Sequence, residues 1–99
     1  AAGLNIITLG TVPDGKLWVI TSVAVYCTTA NPTMVLGKIF DGVDVPIFFG
    51  QKGIVADEVY PQVCHIVMKK DDEIRFYWEG CALNDGIESA AFGYQVALY

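Results

Sequence analysis

The sequence predicts an all-β domain: an antiparallel β-sandwich, jelly-roll-like, with about seven to eight strands. Three observations lead to this prediction. No stretch places apolar residues at helical spacing; Gly, Pro, Asn and Asp recur at short intervals; and the segments between them are rich in Val, Ile, Thr, Tyr, Phe and Trp. At 99 residues the chain has the length of a domain with one core, so residues 1–99 are expected to form a single unit.

Turn residues divide the chain into seven predicted strands. Pro13 fixes φ in a turn that Asp14-Gly15 completes, and Asp41-Gly42 predicts a two-residue hairpin because both residues tolerate positive φ. Pro46 indicates an edge strand or a bulge, since proline cannot donate to a ladder. Residues 51–59 are the least strand-like and are expected to form a long connection. The predicted strands are 4–9, 16–28, 33–40, 43–49, 60–68, 73–80 and 89–99.

Composition and charge exclude several classes of function. Charged residues make up only 17% of the chain, below the usual quarter, so part of the surface is expected to be covered by another molecule. The net charge is -5 and the six basic residues are scattered, which argues against binding to nucleic acid or to acidic membranes. No apolar run approaches the ~20 residues of a membrane-spanning helix.

The segment 16–28 raises a question because both sides of the predicted strand are apolar. Simple alternation places Leu17, Val19, Thr21, Val23, Val25 and Cys27 on one side, which is expected to face the core. Trp18, Ile20 and Tyr26 then lie on the other. Two interpretations fit: loops of the same chain cover this second face, or a neighbouring subunit does. Together with the low charge, subunit association is favoured, and the predicted interface residues are Leu4, Ile6, Trp18, Ile20, Tyr26, Arg75, Tyr77 and Tyr99.

The sequence contains little that indicates catalysis. The single histidine, His65, is expected to be structural, and its neighbour Cys64 would point to the opposite face of a strand. Cys27, Cys64 and Cys81 lie far apart, without the short spacing of a zinc site. They fit a reducing compartment best, and the alternative is one disulfide with a free thiol. No phosphate-binding loop, dinucleotide-binding motif or nucleophile elbow occurs. We therefore expect no catalytic site, no metal and no cofactor.

Several stretches resemble small jelly-roll or β-sandwich virion proteins of tailed bacteriophages. The chain has Val-Pro-Asp-Gly-Lys at 12–16, followed by an apolar strand that contains Ser-Val-Ala-Val and ends in Thr-Thr. Such chains usually have a Leu-x-x-Gly-Asp-x-Ile turn, and here residues 68–74 read Met-Lys-Lys-Asp-Asp-Glu-Ile, with Asp71 in the place of glycine. They often end on a strand similar to Gly-Tyr-Gln-Val-Ala-Leu, at 93–98.

This resemblance implies a virion structural protein, above all a capsid decoration (cement) protein. Such a protein is made in the bacterial cytoplasm, sits on the outer capsid surface as a homotrimer, and binds the major capsid protein. Residues 1–9 then form either an arm that pairs with a neighbour's sheet or the first strand of the chain's own sheet. The alternative is a tail or fibre-head module that binds a receptor or glycan, with a pocket lined by Tyr60, Tyr77, Trp78 and Asn84.

Overall fold

The computed structural model describes residues 3–42, 46–82 and 85–98. These residues confirm the predicted all-β sandwich, which consists of two antiparallel sheets. The seven strands are β1 (Gly3–Thr11), β2 (Lys16–Cys27), β3 (Met34–Phe40), β4 (Ile47–Lys52), β5 (Val59–Met68), β6 (Glu73–Cys81) and β7 (Ile87–Ala97).

One sheet has four strands in the order β1-β6-β3-β4, and the other has three in the order β5-β2-β7. The chain changes sheet between β1 and β2, again before β3, and at each connection from β4 to β7, so most neighbours in a sheet are distant in sequence. Such crossings are typical of Greek-key and jelly-roll sandwiches. They bring the first strand next to the sixth and the last next to the second.

The core lies between the sheets and is dominated by β6. Ile74, Phe76 and Trp78 alternate inward along this strand and are almost fully buried. They meet Val23, Val25 and other residues of the opposite sheet in one cluster. This is what a period of two predicts for a strand that is covered on one face by a second sheet.

One of the predicted turns differs in the structure. Asp41-Gly42 is not a two-residue hairpin, because β3 ends at Phe40 and β4 begins at Ile47. The Ile39 amide still donates to the Pro46 carbonyl at 3.1 Å, but Pro46 has no amide with which to extend the ladder. Residues 43–45 of the predicted fourth strand lie outside the described residues. The prediction from Pro46 is confirmed, since β4 is an edge strand.

The turn after β5 adopts the conformation that glycine would provide. Asp71 has φ of 69°, in the left-handed region. Its amide donates to the Val12 carbonyl, and the Val12 amide donates to the Asp72 carbonyl, both at 3.0 Å. Asp72 is buried and accepts hydrogen bonds from the Lys69 amide at 3.0 Å and the Lys69 ammonium at 3.1 Å. These bonds hold the 69–72 turn against the start of the Pro13 turn.

Candidate interaction surface

A β-bulge in β2 answers the question raised by its two apolar sides. Ile20 pairs with Gly93 and Ser22 pairs with Phe92, so β2 advances two residues while β7 advances one. Because Thr21 is an extra residue, the side chains after it point to the opposite face from the one that simple alternation assigns to them. Trp18 and Ile20 therefore face the core before the bulge, and Val23, Val25 and Cys27 face the core after it.

The outward placement predicted for Trp18 and Ile20 is accordingly wrong, because both side chains lie on the core side of the sheet. Ile20 is only 7% exposed and belongs to the core cluster, while Trp18 packs partly buried against that cluster. The Trp18 indole donates to the Gln95 carboxamide at 3.0 Å. Strict alternation failed here because it assigned Leu17 and Val19 to the core, although both precede the bulge.

Four of the predicted interface residues do share one surface. Leu4, Ile6, Arg75 and Tyr77 lie on the outer face of β1 and β6, where Ile6 is directly opposite Tyr77. Leu4 and Ile6 are more than half exposed. Tyr26 lies elsewhere, on the outer face of the other sheet, with its hydroxyl hydrogen-bonded to Asp57, and this bond raises the pKa of Tyr26. Tyr99 is outside the described residues.

Arg75 and Lys38, on this four-stranded face, both interact with neighbouring side chains of the chain. The Arg75 guanidinium donates to the Glu73 carboxylate at 2.9 and 3.1 Å and stacks on Phe40, with 4.0 Å to the ring centroid. Hydrogen bonds to Tyr77 and Glu73 raise the pKa of Arg75, so it remains a cation. The Lys38 ammonium lies 4.4 Å from the centroid of Tyr77. The face therefore resembles an ordinary solvated surface with a few apolar residues at one edge.

The outer face of the three-stranded sheet is different, and of the described residues predicted to form an interface only Tyr26 lies on it. It presents valines from β5 and larger side chains from β7, with Val19 of the central strand buried between Val67 and Tyr94. Its exposed apolar residues are between 40% and 87% accessible to solvent. We call this surface the valine–aromatic face, and it consists of Val59, Val63, Val67, Phe92, Tyr94 and Val96.

A signal for this face was present in the sequence. Phe92, Tyr94 and Val96 alternate strictly in the last strand, and Val63 and Val67 do so in the fifth. Alternation groups these residues on one side but does not say whether that side is inside or outside. The structure shows which side of β7 faces the core. Ser89 is hydrogen-bonded to Trp78, Ala91 packs against the core, and Gln95 is hydrogen-bonded to Trp18.

A second candidate is an open groove between the edges of the two sheets. β1 ends one sheet and β7 ends the other, and between them lies a groove of about 460 Å³ whose apolar lining includes Leu9, Trp18, Ile74 and Ala91. The opposite side of the sandwich is closed, because Ile54 is buried there and Gln62 donates to the Phe48 carbonyl at 3.3 Å.

The residues considered for chemistry are dispersed. His65 lies on β5 with an exposed side chain, and Cys64 faces the other way as predicted. All three cysteines are free, and burial raises the pKa of Cys64 and of Cys81, which keeps both thiols protonated at neutral pH. In the part of the chain that the structure describes, no three His, Cys, Asp or Glu side chains gather as a metal site would require.

Of the aromatic pocket predicted for receptor binding, the three described residues Tyr60, Tyr77 and Trp78 are not brought together. Trp78 is fully buried in the core, whereas Tyr77, the residue before it, lies on the outer face of the same strand. The Tyr60 hydroxyl accepts from the Val55 amide at 2.8 Å and so closes the 53–58 connection. Asn84 lies outside the described residues.

Fold and surfaces together define a small β-sandwich protein with one polar face, one apolar face and one open side. Comparison with known protein families, with curated proteins and with solved structures finds no match to this chain. The described residues include no helix that could cross a membrane.

Proposed function

We propose that this chain is a non-enzymatic structural protein of a tailed-bacteriophage virion, most specifically a capsid decoration protein. In this role it binds the outer shell as a homotrimer and stabilises it through apolar burial and strand addition to the major capsid protein. The proposal rests on the sequence resemblance and on the open side of the sandwich.

The observation that carries the proposal is the state of the two edge strands on that side. β1 contains no charged residue and no proline. β7 contains no proline and one charged residue, Glu88. The edges on the opposite side are protected, since β5 contains Pro61 and β4 ends in Lys52 after Pro46. Soluble proteins normally protect sheet edges with such residues, so the unprotected pair is suited to receive an extended segment from a partner.

The groove between these edges gives the added strand a place to bury its side chains. Its floor is formed by Trp18 and Ile74, and Leu9 lies at its margin. Strand addition at β7 would extend the three-stranded sheet to four, equal to its partner sheet. Backbone hydrogen bonds would supply affinity, and alternate side chains in the groove would supply specificity.

Residues 3–11 contribute to this role as a fixed edge. They pair with β6 along the whole strand, from Gly3 opposite Cys81 to Thr11 opposite Glu73. The structure thus favours the first strand of the chain's own sheet over a free arm. The net charge of -5 suits a position on the outer surface of the shell, away from the packaged nucleic acid.

The first experiment locates the chain in virions of the phage that encodes it. Virions purified on a density gradient are analysed by mass spectrometry and labelled with gold-conjugated antibody against the recombinant chain. We expect the chain to co-purify with capsids and to label their outer surface. Labelling confined to tails, or absence of the chain from virions, contradicts the proposal.

A second experiment tests the open side directly. Leu9→Lys places a charge at the margin of the groove, and we expect it to abolish binding of the purified chain to capsids that lack it. Ile47→Lys is the matched control, since Ile47 is an exposed apolar residue on the protected edge strand β4. Circular dichroism verifies that both variants fold. Equal capsid binding by both variants excludes strand addition at the groove.

A further inference from the structure

The valine–aromatic face holds six of the twelve exposed large hydrophobic residues among the described residues, and of these six only Tyr94 also lines the groove proposed above for the capsid contact. At the exposed fractions given, its six residues leave roughly 600 Å² open, at the upper limit of the largest patch on a typical monomer. With the rim residues around them, the surface reaches the ~800 Å² that each partner buries in a standard protein interface.

Carboxylates on this face are confined to its margin. Among the described residues whose side chains point outward from β5, β2 and β7, Glu88 is the only carboxylate, and it lies in the last row beside Tyr26 and Val59. Two rows, Val67–Val19–Tyr94 and Val63–Ser22–Phe92, form the centre, with the exposed imidazole of His65 between them on β5. A centre without carboxylates lets two chains of net charge -5 approach one another without like charges meeting in the contact.

The face is also complementary to itself in side-chain size. Of its six residues, the bulky Phe92 and Tyr94 are on β7, and three valines are on β5, where His65 stands between Val63 and Val67; β2 lies between the two strands. A symmetry axis parallel to the strands brings the β7 side of one copy against the β5 side of the next. Large side chains then meet small ones, as close packing of two layers requires.

We infer that the valine–aromatic face is the surface through which copies of this chain associate, about an axis parallel to its strands. Both a two-fold and a three-fold axis satisfy this arrangement, so it is compatible with the proposed homotrimer. The inference concerns the chain alone and needs no capsid, so it stands or fails independently of the virion role.

The test measures the mass of the purified chain by light scattering and sedimentation across a dilution series. We expect the wild-type chain to show two or three times its 10.8 kDa mass. Val63→Glu introduces a charge at the most exposed residue of the face, where the monomer's fold is least affected, and should raise the dissociation constant at least ~30-fold. Phe92→Glu, on the opposite edge strand, should do the same.

Ile6→Glu is the matched control, because Ile6 is about half exposed on the outer face of the other sheet. It should leave the association unchanged. A wild-type chain that stays monomeric at every concentration overturns the inference. So does loss of association in Ile6→Glu with retention in Val63→Glu, which would assign the contact to the four-stranded sheet.

Disulfide trapping tests the axis. In a background with Cys64→Ala, chains carrying Val63→Cys are mixed with chains carrying Phe92→Cys. An axis parallel to the strands predicts that the mixed disulfide dominates over either homodimer. Predominant Phe92→Cys homodimers would indicate an axis across the strands and overturn the arrangement.

Discussion

The indole N–H of Trp78 in β6 donates to the Ser89 hydroxyl in β7 at 3.1 Å, which joins the two sheets through a polar bond inside an apolar core. Trp78 is fully buried, and the Ser89 hydroxyl accepts the hydrogen bond from its indole N–H, which can only donate.

We therefore expect Ser89→Ala to lower the free energy of unfolding by about 1–3 kcal/mol, the range for leaving a buried donor without a partner. Urea unfolding followed by tryptophan fluorescence measures this change. Ser22→Ala, on the outer face of β2, is the control and should change stability by less than ~0.5 kcal/mol. Equal losses of unfolding free energy in the two variants would show that the Trp78–Ser89 hydrogen bond does not stabilise the fold.

Gly93 permits the bulge in β2. A side chain at this position would run into the carbonyl group of Val19 and the backbone of Ile20, which are rigid parts of the neighbouring strand. We expect Gly93→Ala to destabilise the fold by about 3 kcal/mol or more, because either the strands separate or the bulge is lost.

The control for Gly93 is Gly50→Ala. A methyl group at Gly50 would meet the flexible end of Leu36 at 3.4 Å, an ordinary contact. Thermal unfolding of the two variants should separate them by many degrees. A Gly93→Ala variant as stable as Gly50→Ala would refute the role assigned to the close approach.

Asp71 provides a test of backbone strain without loss of side-chain packing. Its side chain is exposed and its φ is 69°, so replacement acts mainly through the backbone. We expect Asp71→Gly to be at least as stable as the wild type, and Asp71→Ala to be about 1 kcal/mol less stable than the glycine variant. Urea midpoints of the three proteins give the order, and an alanine variant as stable as the glycine variant would contradict it.

The Asp85 carboxylate makes the free energy of unfolding depend on pH. Its carboxylate accepts hydrogen bonds from the Ala82 amide at 2.8 Å, the Thr29 hydroxyl at 2.9 Å and the Asn31 amide group at 3.2 Å. The bond from the Ala82 backbone is the largest cause of a pKa below the usual aspartate value, and those from Thr29 and Asn31 add to it. Since the folded state favours the carboxylate, its contribution is full at neutral pH and is lost as the pH falls below ~4.

Asp85→Asn should therefore be less stable than the wild type at pH 7, and should lose less stability between pH 7 and pH 3. The measurement compares urea midpoints at the two pH values. Glu58→Gln, an exposed carboxylate in the 53–58 connection, serves as the control. An unchanged acid dependence in Asp85→Asn would show that other groups determine it.

The sequence by itself determined the fold class, the approximate positions of the strands and the relative sides of residues in β6 and β7. It did so because turn residues and a period of two are local properties, visible within a few neighbouring residues. The left-handed turn at Asp71 also coincides with the position where the resembling motif has glycine.

Only the tertiary structure decided which side of each strand is buried. The bulge at Thr21 depends on β2 meeting Gly93, more than seventy residues further along the chain, and no local pattern contains that information. The same holds for the valine–aromatic face and for the open side between β1 and β7. Alternation states which residues share a side, whereas burial depends on which sheet the other strands build opposite it.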